Sequence, residues 1–283
     1  MPIDPETLLN YPIPEIRQTL TRRDSILYAL SVGMGSDPMN PAQLDFVDQH
    51  RVLRAMPSMA VVLAHPGFWL ADPATGVDAV RLVHGEQGVV WHAPLPVEGE
   101  LIGRSRVTGL VDKGPGRGAL LYFEKIVSDA ATGQKLVTST STVFLRGDGG
   151  FGGSSGPVRP VAPAPEGVPD SVIDLPTRPE QALLYRLNGD DNPLHADPQF
   201  AARAGFPRPI LHGLCTLGVV THALLAGLCA YDPQRLRALS LRFSAPVFPG
   251  ETIRTEFWQN GAFRARVLER DVLVVNNGLA ECA

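Results

Sequence analysis

Residues 185–197 read YRLNGDDNPLHAD. Asp190, Asp191, His195 and Asp197 crowd into this stretch although only 19% of the chain is charged. Surface decoration, a metal site and an acid/base pair are the three chemistries such a cluster offers. A carboxylate and an imidazole sharing one water form an effective acid/base device, one group accepting a proton while the other holds or donates one. Gly189 permits a sharp exit from a preceding helix. Asn192-Pro193 is a turn signal that stops helix continuation. Together they fold the stretch back and bring Asp190 and His195 to one point. A structural reading stays open, in which Asp190 caps a helix or turn and His195 is a partly buried core histidine. The residue types also suit a metal. The spacing, however, matches no zinc motif and no cysteine assists, so no metal is expected. Asp191 and Asp197 read as solvated loop acids.

Downstream, residues 207–218 read PRPILHGLCTLG. Pro207 and Pro209 stiffen an extended approach, and Gly213 opens an apolar helix. A helix start points unpaired amides outward and carries partial positive charge. Glycine lets a ligand come close to that backbone, so the Gly213 amide is a candidate donor to a developing oxyanion. A plain helix-start glycine is the competing reading. Cys215 lies in the first turn and reads as a buried structural thiol rather than an activated thiolate. His212 is expected to orient the turn, and His222, on an apolar helix, to be a satisfied core histidine. His50, His65, His84 and His92 belong to no visible constellation.

The elements that must position these residues follow from periodicity. Apolar residues at 214, 217, 220, 224, 225 and 228 predict a mostly buried helix over 213–228. Strand signals fall at 119–127 and 134–145, then at 236–243, 252–259, 263–270 and 271–276. A buried helix followed by antiparallel strands is an α+β unit. Residues 147–169 are dominated by Gly, Ser and Pro and read as a linker of coil and extended chain between 1–146 and 170–283. The two parts echo each other. WHAPLPVEGELI at 91–102 answers FSAPVFPGETI at 243–253, and YALS at 28–31 answers YRLN at 185–188, at similar offsets. Two echoes in one order indicate an internal duplication. The first copy lacks the polar cluster, as expected of a function held once per pair.

A chain of 283 residues can bury two cores, and 44% apolar residues suit a globular protein. A net charge of −4 gives no basic face, so small-molecule chemistry is expected rather than nucleic-acid binding. The apolar run over 213–230 carries Thr, His and Gly and is read as a buried helix, not a membrane span. Cys215, Cys229 and Cys282 are too widely spaced to predict a disulfide framework. The opening residues lack a signal-peptide layout and the closing AECA is no peroxisomal address, so a cytoplasmic location is expected.

The motif Y-R-L-N-G-D-x-N-P-L-H-x-D with PILHGLCTLG behind it strongly resembles the hydratase 2 motif of MaoC-like (R)-specific enoyl-CoA hydratases. RRDSILYALSVGMG, LVHGEQGVVW, LRGDGGFGG and RFSAPVFPGETI extend the likeness to the two-domain form, as in the hydratase unit of peroxisomal multifunctional enzymes. The resemblance implies a double hot-dog fold, each sheet wrapped around a central helix, with a non-catalytic N-terminal half that accommodates the acyl chain. It implies reversible syn hydration of a trans-2-enoyl-CoA to a (3R)-hydroxyacyl-CoA, with coenzyme A as part of the substrate and no cofactor. Asp190 and His195 would hold and activate the water, Asn192 would position His195 or the water, and the Gly213 amide would bind the thioester oxygen. Arg208, Arg242 and Arg264 are candidate coenzyme A contacts. Residues 28–35 and 57–70 are candidate tunnel walls, and a homodimer is expected. The chain departs from the pattern at Asn188, where the family often has Ser, and at Asp191, where a large residue is common. Asp191 adds charge that would raise the pKa of either dyad member. His65-Pro66-Gly67 would interrupt a long helix in the first half. The same chemistry run backwards on an acyl-carrier-protein substrate is the nearest alternative, and a hot-dog thioesterase is a more distant one.

Overall fold

The computed structural model describes residues 3–283. Ten strands are β1 (Ile16–Leu20), β2 (Leu82–Trp91), β3 (Gly99–Asp112), β4 (Ala119–Asp129), β5 (Lys135–Leu145), β6 (Ser171–Pro176), β7 (Leu236–Phe243), β8 (Thr252–Phe257), β9 (Ala262–Val267) and β10 (Val272–Cys282). They form one sheet in the order β1-β3-β4-β5-β2-β7-β10-β9-β8-β6. The order is the same read from either end, with β6, β8, β9, β10 and β7 taking the places of β1, β3, β4, β5 and β2. The duplication glimpsed in two short echoes therefore extends to the whole strand order. The halves join at β2 and β7, antiparallel from Glu86↔Arg242 to Val90↔Ala238.

Alternation sets the faces. In β9, Phe263, Ala265 and Val267 are buried while Arg264 and Arg266 point away from the core. β10 runs past the expected end at Asn276. Asn277 takes a left-handed φ of 52° and the register shifts between Asn276 and Leu279, so a bulge hides the rest of the strand from a period-two reading.

The helix Gly213–Leu228 has the expected bounds, and every residue from Cys215 to Leu225 is buried. Gly218 lets it close on the first half, because a Cβ there would lie 2.3 Å from the Val32 side chain. The first half has no counterpart of this length. Among the described residues, the first half's longest helix is Arg22–Ser31, and the 3-10 turn Pro57–Val61 is what packs against β2, β5 and the central helix. Pro66 cannot donate within a helix, and Ala64 and Gly67 adopt left-handed φ. Residues 57–70 thus hold the 3-10 turn Pro57–Val61 and the start of a second, Trp69–Ala71, in place of one long helix. Lys125, buried on β4, gives its ammonium to the carbonyls of Val61 and Leu63. It does for this segment what helical amides would have done.

Residues 147–169 form no helix or strand, as expected, but they are tied to the sheet. Asp112 accepts the Gly150 and Gly152 amides at 2.7 and 2.9 Å. Asn277 Nδ2 donates to the Ala162 carbonyl at 2.8 Å, and Arg159 stacks 4.5 Å over the Tyr122 ring. Cys229, at the end of the central helix, and Cys282, at the end of β10, are free thiols whose Sγ atoms lie 3.6 Å apart. Sequence spacing gave no hint of that pair.

Candidate active site

The helix Gln181–Tyr185 tightens into a 3-10 turn, Arg186–Asn188, and stops at Gly189 with φ 108°. Nothing lies within 4 Å of where a Cβ would sit, so the glycine answers a backbone demand rather than crowding. Asn192 then opens a second 3-10 turn, Pro193–His195, its Oδ1 accepting the Leu194 amide at 3.0 Å. Asn192 therefore positions His195 through the backbone of this turn. Its own amide donates to Asp190 Oδ1 at 3.4 Å.

The His195 ring is buried and its Nδ1 lies 2.9 Å from the Ile210 carbonyl oxygen. A carbonyl only accepts, so Nδ1 carries the hydrogen and Nε2 keeps its lone pair. Burial holds the imidazole below its usual pKa of 6.5, against the opposing pull of the Ile210 bond and the Asp190 carboxylate. His195 is therefore a neutral base at neutral pH. An Asp190 carboxylate oxygen and one ring nitrogen each of His195 and His212 lie within 4.8 Å of one another. One water making hydrogen bonds of about 2.8 Å spans such a separation.

Of the four residues considered as metal ligands in the sequence, Asp190 and His195 lie in this cluster together with His212, and the ring geometry of the two histidines does not suit a metal. His195 and His212 stack at 3.7 Å with planes inclined by 27°. Imidazoles so stacked cannot both aim in-plane lone pairs at one ion about 2 Å away.

His212 was expected only to orient a turn. It is the residue before the central helix, yet caps nothing with its side chain. Its Nε2 donates to the Asp190 backbone carbonyl at 3.1 Å while its face covers His195. The histidine next to the candidate amide was the sequence signal available for this role. Gly213 follows, half-buried, with the first amide of a helix that cannot satisfy it internally. Its φ is ordinary for any residue, and a Cβ would meet Phe243 at an unstrained 3.5 Å. Neither backbone nor crowding within the protein requires glycine here.

Asp191 is exposed, and the influences on His195 are burial, Ile210 and Asp190; the expected effect of Asp191 on the dyad has no support in this arrangement. Asp197 is not merely solvated: it caps the helix Pro198–Arg203, accepting the Gln199 and Phe200 amides at 2.8 and 3.2 Å. Cys215 is buried and burial pushes its thiol pKa up, in keeping with a structural role. His222 is buried as expected but not satisfied, since neither ring nitrogen has a hydrogen-bond partner among the described residues.

The three candidate arginines separate. Arg208 is exposed on the loop leading to Gly213, 5.0 Å over the Phe248 ring, with Nη1 donating to the Pro249 carbonyl at 3.0 Å. Arg242 alternates away from buried Leu241 and pairs with Glu86 at 2.6 Å. Arg264 alternates away from Phe263 and pairs with Glu256. Both side chains point away from the face that buries Leu241 and Phe263. Of the candidate walls, Tyr28 and Val32 pack directly on the central helix beside Gly218.

A ten-stranded antiparallel sheet with one long helix packed on it, and a carboxylate brought beside two buried imidazoles just before that helix begins, define a hot-dog protein with an acid/base cluster at the start of its central helix. Residues 19–147 match the MFE-2 hydratase 2 N-terminal domain, and residues 160–281 match the MaoC like domain. The chain is 41% identical to 3-hydroxyacyl-thioester dehydratase Y of Mycobacterium tuberculosis, over 94% of this chain and 90% of that protein. It is 39% identical to the peroxisomal enoyl-CoA hydratase 2 of Arabidopsis thaliana, over 95% and 93%. The crystal structure of a MaoC-like dehydratase from Phytophthora capsici superposes with a TM-score of 0.86 at 34% identity, covering 98% of each chain. The chain belongs to the two-domain MaoC-like hydratase 2 family, and its fold is the double hot-dog.

Proposed function

We propose that this protein is an (R)-specific enoyl-CoA hydratase, adding water reversibly and syn across a trans-2-enoyl-CoA. The observation that carries the reading is the fixed tautomer of His195, whose Nδ1–H is spent on Ile210 so that the Nε2 lone pair is left beside the Asp190 carboxylate. Water held between Asp190 and His195 attacks C3. Its O–H bond breaks toward the dyad as the C3–O bond forms. The C2=C3 π electrons move onto the thioester oxygen, which takes a hydrogen bond from the Gly213 amide. The dyad then delivers the proton to C2 on the same face. Acid/base assistance contributes roughly 10²–10⁴-fold and one oxyanion donor roughly 10²–10³-fold. Every step uses the chain, water and the thioester alone, so the reading includes no cofactor and no metal. The (3R) product is what the hydratase 2 likeness implies.

The reverse reaction, dehydration of a 3-hydroxyacyl thioester on coenzyme A or a carrier protein, uses the same groups. The name of the M. tuberculosis relative favours keeping that direction in view. The first half, which lacks a counterpart of the long central helix, serves in this reading as the acyl-accommodating side, and Arg208 as the candidate coenzyme A contact. A homodimer and a cytoplasmic location complete the proposal. No helix among the described residues is long and apolar enough to cross a membrane, while the Arabidopsis relative is named peroxisomal.

The test follows enoyl-thioester absorbance with crotonyl-CoA and decenoyl-CoA, with free thiol monitored in parallel. Loss of absorbance without thiol release, absent in His195→Asn, supports hydration. Thiol release would replace it with a thioesterase.

A further inference from the structure

One residue touches every part of the proposed machinery. His212 donates from Nε2 to the Asp190 carbonyl at 3.1 Å, lies against the His195 ring at 3.7 Å, and immediately precedes the Gly213 amide. Its other side meets the Tyr185 ring at 4.9 Å, inclined by 49°. The ring is almost fully buried, and its Nδ1 has no protein partner among the described residues. A buried imidazole with one nitrogen unpartnered is costly unless the site uses the arrangement.

We propose that His212 is a positioning residue for this reaction, clamping the Asp190 backbone, the His195 ring and the start of the central helix into one geometry. The inference rests on the hydration reading above. Its bond to Asp190 fixes where the carboxylate's chain runs. Its face limits the rotation and tilt of His195 and keeps water off that side of the ring. Its backbone continues into the amide that would meet the thioester oxygen. A shift of about 1 Å in such an arrangement costs on the order of 10²-fold in rate.

His212 itself is not a proton carrier. Burial, with His195 next, pushes its pKa down to about 3, so the ring is neutral wherever the dyad works. The ionisable groups facing it are Asp190, His195, Arg186 and Tyr185.

Two variants separate clamping from space-filling. His212→Phe keeps a stacked ring and loses the bond to Asp190. His212→Asn keeps a donor and loses the stack. Hydration of crotonyl-CoA is measured across pH, with melting temperature as the control for folding. Both variants are expected to lose about 10–100-fold in kcat with KM little changed. In His212→Asn the acid limb of kcat/KM moves up toward pH 6.5, because water reaches His195; in His212→Phe it stays. Wild-type kcat in His212→Phe would reduce the ring to packing and overturn the proposal. The ¹⁵N-histidine spectrum of the wild-type protein tests it independently of any variant's folding. The expected pattern is a neutral Nε2–H tautomer for His212 and Nδ1–H for His195, and titration of His212 near pH 6 would overturn it. Wild type that hydrates no enoyl thioester fails the underlying reading instead, a result distinct from an active His212→Phe.

Discussion

Asn188 Nδ2 donates to Ser31 Oγ at 3.0 Å, so the last residues of the two echoed tetrapeptides bind each other across the molecule. The first residues do likewise, Tyr28 and Tyr185 meeting edge to face at 6.0 Å. Asn188 also donates to the Tyr185 carbonyl at 2.8 Å, closing its own helix just before the site begins. Asn188→Ala removes both bonds. It is expected to destabilise the fold by about 1–2 kcal/mol, read as a lower midpoint in urea at unchanged slope.

The dyad carries the chemistry and little of the fold in the proposed mechanism. Asp190→Asn and His195→Asn are each expected to lower kcat by roughly 10²–10⁴-fold. Melting temperatures should stay near wild type. Initial rates with crotonyl-CoA and thermal unfolding decide it; comparable losses of stability and rate would assign these residues to structure.

Gly213→Ala should part activity from stability. The added methyl meets Phe243 at 3.5 Å without strain, and alanine suits a helix better than glycine. Stability is expected to hold or rise. The methyl intrudes on approach to the amide, so kcat is expected to fall on the order of 10-fold or more, up to the full value of one oxyanion donor.

Acid should unfold the protein through its buried histidines. Burial lowers His84 and His222 to about 4 and His212 to about 3, and it lowers His195 as well. The unfolded chain binds these protons near pH 6.5, whereas the folded chain takes up those of His84, His222 and His212 only at about pH 4 or below and that of His195 at a pH below its usual value. Their contribution is therefore fully present above pH 6.5 and is lost as pH falls from there toward 4. Urea midpoints at pH 7.5, 6 and 5 should decline in that order, and a flat profile would contradict neutral burial.

Lys125→Met should expose how the shortened segment of the first half is held. Removing the ammonium leaves the Val61 and Leu63 carbonyls buried and unpaired. A loss of about 2–4 kcal/mol is expected in chemical denaturation, with the second half's site geometry, followed by the His195 ¹⁵N shifts, little changed.

Much of this was legible in the sequence because the signals were local. The central helix has the expected ends, since Gly213 opens a run whose apolar residues recur at helical spacing. The turn over residues 189–195 was legible from Gly189 and Asn192-Pro193, each forcing its own backbone geometry. What depended on direction in space was not. Arg242 and Arg264 were candidates on charge alone, while the strand period sends both away from the buried face. His212 has its role through the direction of its ring. Cys229 and Cys282 meet only because a helix end and a strand end converge. The remainder of β10 was hidden by a bulge, and the first half's missing helix was foreshadowed only by His65-Pro66-Gly67.

The pairing of β2 with β7 has a mechanical consequence. Backbone hydrogen bonds run without interruption from one outer edge of the protein to the other, and the helix that begins at Gly213 is wedged against Val32 of the opposite half. The two halves are thereby joined both through the sheet and through the helix packed on it. In the proposed reaction, one sheet shared by both halves would serve as the frame that keeps the reacting groups in register from one turnover to the next.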